Sequence, residues 1–322
     1  MSLTKIKAQN LKVPATQDNF DEFAYLNGNL DVQDALLSGK IKSGLEHFKQ
    51  FGINENRHLL FEVEASMKKD KLNTIRSLLN DSMKFETHES HYDFLTNELR
   101  DVFNIIDTNA VSSNDYDEDV LALIEKYKEG FILDCGAGSR GVYYPNVVNF
   151  EIAVYPSTDV RGVGEKLPFK DNSFDAVISI AVLEHVKDPW LCAKEILRVL
   201  KPGGDLICCV PFLQLLHGYP HHYYNMTDLG LRNLFGSGIA VIDHKVPAST
   251  SPIWALTWIL NSWVDGLSKE SRNEFLNLSI KDLITNPQKL LQKSYVINLS
   301  KEKNLELASA TVLHAIKNHI NV

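Results

Sequence analysis

The sequence predicts an α/β protein whose core is a doubly wound, mostly parallel sheet. Between residues 131 and 247, short runs rich in β-branched residues alternate with helical patterns. This alternation is typical of a parallel sheet with helices on both faces. The first run ends in the glycine-rich segment DCGAGSRG, residues 134–141. A turn of this kind after a strand lets a ligand approach the backbone closely, so it indicates a binding site.

The elements are assigned from hydrophobic periodicity. Residues 1–112 form a predicted N-terminal helical region, which includes a module at 20–57, and residues 114–130 form a helix that leads into the sheet. Predicted strands follow at 131–135, 147–152, 175–180, 205–210 and 239–244, with a helix at 189–200. A late apolar segment, 307–317, is predicted to close the sheet after a helical insertion at about 252–303.

Composition narrows the class of protein. The 322 residues, 44% of them hydrophobic, suffice for one large or two smaller domains. The formal net charge of −8 argues against a dedicated nucleic-acid binder. The four cysteines form no CxxC pair and no cluster with histidine at zinc spacing, so we predict no metal site and a reduced, cytoplasmic setting.

No targeting or membrane-spanning segment is expected. The N-terminal residues lack the apolar run of a signal peptide. The most apolar stretch, 252–264, is too short to span a bilayer. Its residues are apolar nearly all round the predicted helix, which favours a buried core helix or a homodimer contact. A lid over the acceptor or contact with a membrane surface are the alternatives.

Four motifs follow the glycine-rich turn in order: GEKLPF (164–169), FDAV (174–177), LEHV (183–186) and LKPGG (200–204). With them, residues 115–247 resemble the class I S-adenosylmethionine-dependent methyltransferases, of the type 11-like branch. The resemblance implies a Rossmann-like fold with a seven-stranded sheet, S-adenosylmethionine as cofactor, and a methyltransferase domain over residues 113–322.

The resemblance also implies roles for individual residues. Asp134 would organise the glycine turn and the amino group of the cofactor, and Glu151, at the end of the second strand, would hold the ribose hydroxyls. The adenine would lie against Gly164 and Glu165. The remaining cofactor-binding positions follow the first and third strands: Gly136, Ala137, Gly138, Ile180, Ala181 and Val182.

The chain departs from the family pattern at two places. Many relatives have Asp-Ala where this chain has Val163-Gly164, so the adenine contact must come from the backbone or from Glu165. A third glycine often follows the second at the next-but-one position, where this chain has Arg140. These departures leave open a non-catalytic, cofactor-binding scaffold protein as an alternative function.

A hydroxyl acceptor must lose its proton, and histidine is the natural base near neutral pH. The segment after the fourth strand, 211–235, offers His217, His221 and His222, which are the candidate catalytic residues. The alternative is that these side chains only fold the loop. Glu184 and His185 resemble half of an E-x-x-E-H cation motif, but Ala181 replaces its first glutamate, so we expect them to buttress the cofactor pocket.

The module at 20–57 carries the pattern YLxxNxDVxxAxxxGxxxSxxxHFxxxGxxExxR, with Leu30 at a usual proline position. It resembles a helical repeat attached to bacterial enzymes of surface-polysaccharide synthesis. The sequence therefore predicts methylation, at oxygen, of a small molecule or glycan precursor. Methylation of a quinone, lipid or other apolar acceptor is the alternative.

Overall fold

The computed structural model describes residues 8–107, 115–218 and 221–313. The chain divides into two compact units, which are described separately. The first contains Met1–Pro211 and Gly218–Ala240, and the second contains Phe212–His217 and Val241–Val322.

The first unit contains eleven strands among the described residues. They are β1 (Gln9–Asn10), β2 (Lys12–Pro14), β3 (His58–Leu60), β4 (Glu86–Thr87), β5 (Tyr92–Asp93), β6 (Ile132–Cys135), β7 (Val142–Tyr143), β8 (Val147–Glu151), β9 (Val160–Arg161), β10 (Phe174–Ile180) and β11 (Leu200–Cys209). Its helices are α1 (Glu22–Gly28), α2 (Leu30–Leu37), α3 (Gly44–His47), α4 (Ala65–Ile75), α5 (Asn97–Phe103), α6 (Glu118–Lys126), α7 (Pro189–Val199) and α8 (Asp228–Phe235).

A seven-stranded sheet organises the first unit. Its strand order is β11-β10-β6-β8-β9-β5-β4, and every pair is parallel except β4 with β5. The predicted mostly parallel sheet of seven strands is therefore confirmed. The four predicted strands at 131–135, 147–152, 175–180 and 205–210 correspond to β6, β8, β10 and β11.

Helices cover both faces of this sheet. Ile132, Val147 and Ile178 point to the face covered by α6, where Val120 and Ile124 meet them. Their neighbours Leu133, Val148 and Val177 point to the other face, where they join residues of α4, α7 and α8. Adjacent strand residues alternate between faces, so both faces must be apolar in a sheet buried on both sides.

The prediction of a strand at 239–244 is wrong. Residues 239–247 have no regular structure, and the side chains of Val241, Ile242 and Val246 are exposed. Residues 307–313 likewise form no strand, and 314–317 lie outside the described residues. High β-propensity reflects packing against a neighbouring strand, and β-branched residues without that neighbour stay irregular.

The N-terminal region is not purely helical. Residues 22–52 are mostly helical, but β2 pairs with β3, and β4 and β5 extend the large sheet. β1 pairs antiparallel with β7, the strand that directly follows the glycine-rich turn. Leu11, which lies between β1 and β2, is fully buried. These pairings place the N-terminal region in the same compact unit as the sheet.

The motif residues of the module at 20–57 hold its own fold together. Tyr25 and Phe48 are fully buried, and a Cβ at Gly52 would lie 2.2 Å from the Tyr25 hydroxyl. Arg57 donates to both carboxylate oxygens of Asp31, at 2.7 and 2.8 Å. His47, whose Nδ1 lies 3.0 Å from the Tyr25 hydroxyl, is a packed side chain.

The second unit is helical in its described part. Its helices are α9 (Pro252–Asp265), α10 (Lys269–Leu276), α11 (Ile280–Leu283), α12 (Ser294–Ile297) and α13 (Lys301–Glu306). The α9 residues Leu260, Trp263 and Val264 pack on a small core. Ile253 and Trp254 of the same helix are 61% and 63% exposed, so a single chain buries only one side of α9. A homodimer contact, a lid and a membrane-surface contact at the exposed side stay predictions. Among the described residues, we find no helix with the length and apolarity needed to cross a membrane.

Candidate active site

The glycine-rich turn leaves β6 at Cys135. Gly136 and Gly138 have φ angles of +84° and +63°, a region that residues with a side chain rarely adopt. A Cβ at Gly136 would also lie 2.4 Å from a methyl group of Val182. Glycine is required here for both reasons, and the turn brings the ends of β6 and β10 together.

Asp134 is fully buried at the end of β6. Its Oδ2 accepts hydrogen bonds from Nε and Nη2 of Arg140, at 2.8 and 2.7 Å, and from the Tyr116 hydroxyl. Its Oδ1 is buried and has no hydrogen-bond partner among the described residues. Arg140, which stands where a third glycine was expected, therefore forms a buried ion pair that braces the turn and occupies only one of the two carboxylate oxygens.

Glu151 ends β8 beside the same turn. Its Oε2 accepts from the Gly138 N–H at 2.7 Å, and its Oε1 accepts from the Ile152 N–H at 2.8 Å. Burial raises the pKa of this carboxyl. Glu151 and the glycine turn thus form one arrangement at the carboxyl ends of β6 and β8.

A buried charge network lies behind this arrangement, and sequence reasoning missed it. Asp159 is fully buried and lies 3.0 Å from Nζ of Lys68 and 2.6 Å from Nζ of Lys71. Its carboxylate also accepts from the Tyr143 hydroxyl and, at 2.9 Å, from the Asn149 N–H. Burial lowers the pKa of Lys71 to about 8. The network joins α4 to β7 and to the loop that begins at Glu151.

Only the tertiary structure reveals the partner of these lysines. The buried residues of α4 recur at intervals of three or four, so they share one side of the helix. They are Lys68, Lys71, Leu72 and Ile75. The place of the two lysines on the apolar side of α4 was the available signal. Lysine is almost never fully buried unless it is paired.

The turn after β10 is strained. Ala181 has a φ of +55°, a left-handed conformation that is uncommon for residues other than glycine, and its N–H donates to the Cys209 carbonyl at 3.0 Å. Strained backbone of this kind concentrates at functional sites. Ile180 and Val182 flank it, so the structure brings three predicted cofactor-binding residues next to Gly136.

The predicted adenine contacts lie at the start of α7. A Cβ at Gly164 would lie 2.8 Å from the Cys192 sulfur, so glycine lets α7 pack closely. Glu165 Oε1 accepts from the N–H groups of Lys187 and Asp188, at 3.0 and 3.3 Å, and burial raises the pKa of this carboxyl. One carboxylate oxygen of Glu165 is therefore engaged in positioning the loop before α7.

The structure brings two of the three candidate histidines together with His185. His221 Nε2 lies 2.9 Å from the Asn104 carbonyl oxygen, and His222 Nε2 lies 2.8 Å from Asn225 Oδ1. His185 Nδ1 donates to the His221 carbonyl at 2.7 Å, and its ring lies 5.5 Å from that of His222. His185 thus connects the histidine loop to the turn after β10.

Glu184 lies under this histidine loop. It is fully buried, and burial raises the pKa of its carboxyl to about 8. Its backbone carbonyl accepts from the Tyr223 N–H at 2.7 Å. Glu184 and His185 therefore support the histidine loop, and their expected role beside the cofactor pocket stays a prediction.

His217 belongs to the second unit. Its Nδ1 lies 2.7 Å from the Leu215 carbonyl, and its ring lies 5.4 Å from that of Trp258 on α9. In that unit His217 therefore contacts the backbone of its own loop and the ring of Trp258.

Aromatic side chains surround the histidine loop. The Trp190 and Tyr224 rings meet edge to face at 5.6 Å, and the Tyr223 ring lies 5.2 Å from that of His221. Trp190 is 54% exposed and Tyr223 is 37% exposed. Trp190 was not identified as a site residue from the sequence. Its place shortly after the LEHV motif, which follows the end of a strand, was the available signal. Exposed aromatic faces of this kind can pack on a ligand.

Comparison with known proteins supports the methyltransferase assignment. Residues 143–208 match the family model described as Methyltransferase domain. An uncharacterized methyltransferase of Mycobacterium sp. strain KMS is 53% identical over 45 residues, which are 14% of this chain and 18% of that protein. An uncharacterized methyltransferase of Mycobacteroides abscessus is 33% identical over 103 residues, which are 32% of this chain and 33% of that protein. The chain thus spans a third or less of the length of these curated relatives.

Two solved structures are similar in part. The YcgJ protein of Bacillus subtilis is 19% identical, with a TM-score of 0.31, over 51% of this chain and 92% of that one. A SAM-dependent methyltransferase from Thermotoga maritima is 21% identical, with a TM-score of 0.25, over 36% of this chain and 68% of that one. The family match and the named relatives support an enzyme of the methyltransferase class, for which the family implies S-adenosylmethionine as the methyl donor.

Proposed function

We propose that this protein transfers a methyl group from S-adenosylmethionine to a hydroxyl oxygen of a small molecule or glycan precursor. The proposal rests on the glycine-rich turn and Glu151 at the carboxyl ends of β6 and β8. Gly136 and Gly138 form the turn, and the Gly138 N–H donates to the Glu151 carboxylate. Ligands of doubly wound parallel sheets bind at these strand ends. When bound, the cofactor supplies an electrophilic methyl group on a sulfonium, whose leaving group is neutral.

The residues present fit this cofactor. Asp134 Oδ1, which is buried and has no hydrogen-bond partner within the described part of the chain, suits the cofactor's ammonium group. Glu151 can exchange its backbone hydrogen bonds for the two ribose hydroxyls. Backbone around Gly164 and the strained turn at Ala181 provide the walls for the adenine, while Glu165 acts through the loop before α7.

A hydroxyl acceptor needs a base, and among the three candidate histidines we place His222 first. The Asn225 Oδ1 atom accepts a hydrogen bond from Nε2 of His222, so Nδ1 carries the lone pair of the neutral ring. Asn225 therefore orients His222 as the third member of a catalytic triad orients its histidine. His221 and His217 are the other candidates, and a positioned base contributes roughly 10²–10⁴-fold to the rate.

The surroundings of the histidine loop support a glycan-type acceptor. Trp190 and Tyr223 expose flat apolar faces, which suit the C–H face of a sugar ring, and Asn104 and Asn225 offer amide groups for hydroxyls. The resemblance of the module at 20–57 supports the same class. The same aromatic faces would serve an apolar acceptor such as a quinone or lipid, which is the second candidate. A cytoplasmic location and a homodimer also remain predictions.

The cofactor part is tested by calorimetric titration of the full chain with S-adenosylhomocysteine. We expect micromolar binding that Glu151→Ala weakens at least roughly tenfold, because the ribose hydroxyls lose their partner. Glu129→Ala, which removes an exposed carboxylate of the helix–strand connection, is the control and should bind normally. A folded protein that does not bind at millimolar ligand would contradict the cofactor assignment, whereas binding without any methyl transfer would support the scaffold alternative.

The catalytic part is tested with radiolabelled methyl donor on sugar nucleotides, glycolipids and quinones. His222→Ala should lower kcat by roughly 10²-fold or more, with the affinity for S-adenosylhomocysteine unchanged. His221→Ala and His217→Ala are measured beside it. If all three variants keep the full rate, base catalysis by this loop is ruled out.

A further inference from the structure

The β4–β5 hairpin, outside the candidate active site, carries four metal-ligating side chains on one face. Glu86 pairs directly with Asp93, and Thr87 pairs with Tyr92. The next opposite pair is His88 and His91, where the His88 N–H donates to the His91 carbonyl at 2.9 Å. Side chains alternate between the faces of a strand, so the acid pair and the histidine pair share one face.

The distances within this group suit a metal ion. One ligand atom from each of His88, His91 and Asp93 lies within 4.8 Å of the others. Glu86 Oε2 lies 3.7 Å from His88 Nε2, and the two imidazole rings stack at 4.7 Å. Ligand atoms of a tetrahedral zinc ion are about 3.3–3.6 Å apart, given metal–ligand bonds of about 2.0–2.2 Å. Small movements of the exposed His88 and Glu86 side chains would close the group.

The facing carboxylates are also compatible with a bound cation. Like charges directly opposite each other on an antiparallel pair are destabilising, which is the arrangement of Glu86 and Asp93. Arg161 donates to Asp93 Oδ2 at 3.0 Å, and the Leu95 N–H donates to Oδ1 at 2.8 Å. Each carboxylate oxygen has two acceptor sites, so these bonds leave room for a metal bond.

Ser90 supplies the outer contact typical of a metal-binding histidine. Its hydroxyl lies 2.9 Å from His91 Nδ1. A hydrogen bond at Nδ1 orients the ring and leaves Nε2 as the ligand atom. His91 is nearly buried, so its ring is held in place before any ion binds.

We propose that this hairpin binds one divalent transition-metal ion of the zinc class through His88, His91 and Asp93, with Glu86 as the fourth ligand. Imidazole and carboxylate together suit zinc, cobalt or nickel. The ion ties β4, a two-residue strand at the end of the sheet order, to β5. The hairpin turn precedes β5, so it lies at the amino ends of the parallel strands, and the role of the ion is structural.

The test uses the full chain after chelator treatment, titrated with zinc alone by calorimetry and with cobalt by visible absorption. We expect one equivalent of zinc to bind and a four-coordinate cobalt spectrum. His88→Ala should weaken zinc binding at least roughly tenfold, and Ser90→Ala by roughly tenfold. Glu89→Gln is the matched control, because it removes an exposed acid from the same turn and should bind zinc normally.

A second measurement separates loss of the site from loss of the fold. His88 is 44% exposed at its side chain, so His88→Ala should melt at the wild-type temperature without metal. Zinc should raise the melting temperature of the wild type and leave that of His88→Ala unchanged. The proposal is overturned if the wild type binds no zinc, or if His88→Ala binds zinc as tightly as the wild type. Neither outcome depends on methyl transfer.

Discussion

The two compact units differ in how completely they bury their apolar residues. In the first unit every residue of β6 is buried, because helices cover both faces of the sheet. In the second unit the buried apolar residues of the described part are few: Leu215, Leu267, Phe275 and Tyr295. A helix with neighbours on one side can bury only one stripe, so α9 leaves Ile253 and Trp254 exposed. Apolar content alone therefore does not determine burial.

The units also differ in their treatment of charge. The first unit buries Asp159 between two lysines and Asp134 against Arg140. The second unit keeps its pair Lys303–Glu306 partly exposed. Breaking a buried pair leaves an uncompensated charge and is costly, whereas an exposed pair contributes little. The loss of unfolding free energy caused by mutations should therefore differ between the two units, both in size and in physical cause.

The largest effect is expected from Asp159→Ala. It leaves Lys68 and Lys71 buried without their anion, and we expect a loss of about 3–5 kcal/mol in the free energy of unfolding. Urea denaturation measures the loss. Asp81→Ala, which removes the exposed partner of Arg76, is the control and should change little. Equal effects of the two variants would contradict the ranking.

Phe275→Ala should unfold the second unit selectively. The ring stacks on Trp263 at 5.9 Å and packs on Tyr295, and truncating a buried phenylalanine costs about 3–5 kcal/mol. Hydrogen exchange should show faster exchange in residues 252–306 and unchanged protection in β6 and β10. If protection falls in both units, they unfold together and the comparison fails.

Glu184→Gln should remove a pH dependence that arises in the first unit. The pKa of Glu184 is about 8 in the folded protein, above its usual value of 4.5. The folded state therefore binds more protons in this range, so the stabilisation is complete below pH ~4.5 and is lost as the pH rises through about 8. Between pH 5 and 8 the wild type should lose about 3 kcal/mol more than Glu184→Gln, by denaturation at each pH. Parallel pH profiles would refute the assignment.

The smallest effect is expected from Ile253→Ser on α9. The side chain is 61% exposed, so the free energy of unfolding should change by less than about 0.5 kcal/mol. Trp263→Ala on the same helix removes a ring packed on the core and is the matched comparison. A loss of more than about 1 kcal/mol for Ile253→Ser, measured by the same denaturation, would mean that this face is covered in solution.

A strand was predicted correctly where the signal for it lies within one segment of the chain and its pairing partner is also present. β6, β8, β10 and β11 were predicted because a strand buried on both faces is a continuous apolar run. β4 and β5, of two residues each, carry no such run and exist because β5 pairs with β9. Residues 239–244 show the reverse case: the run is present, but no strand pairs with it among the described residues.

Residues of the candidate active site were likewise predicted where their signal lies within one segment of the chain. The glycine-rich turn and Glu151 were predicted because their neighbours in the chain are enough to identify them. The left-handed Ala181 and the pairing of Arg140 with Asp134 were not predicted, because each depends on which strand ends meet. The cysteine spacing predicts no metal site, but pairing of β4 with β5 brings His88 and His91 together.

By itself the sequence determined the parallel sheet and the glycine-rich turn, since these depend on apolar periodicity and on glycines at fixed spacing. The class of chemistry was predicted from the resemblance to methyltransferases. The tertiary structure decided which lysines share Asp159, which face of α9 is covered and which strands complete the sheet. These features depend on contacts between residues far apart in the chain. Periodicity within one segment carries no information about the partner that the segment will meet.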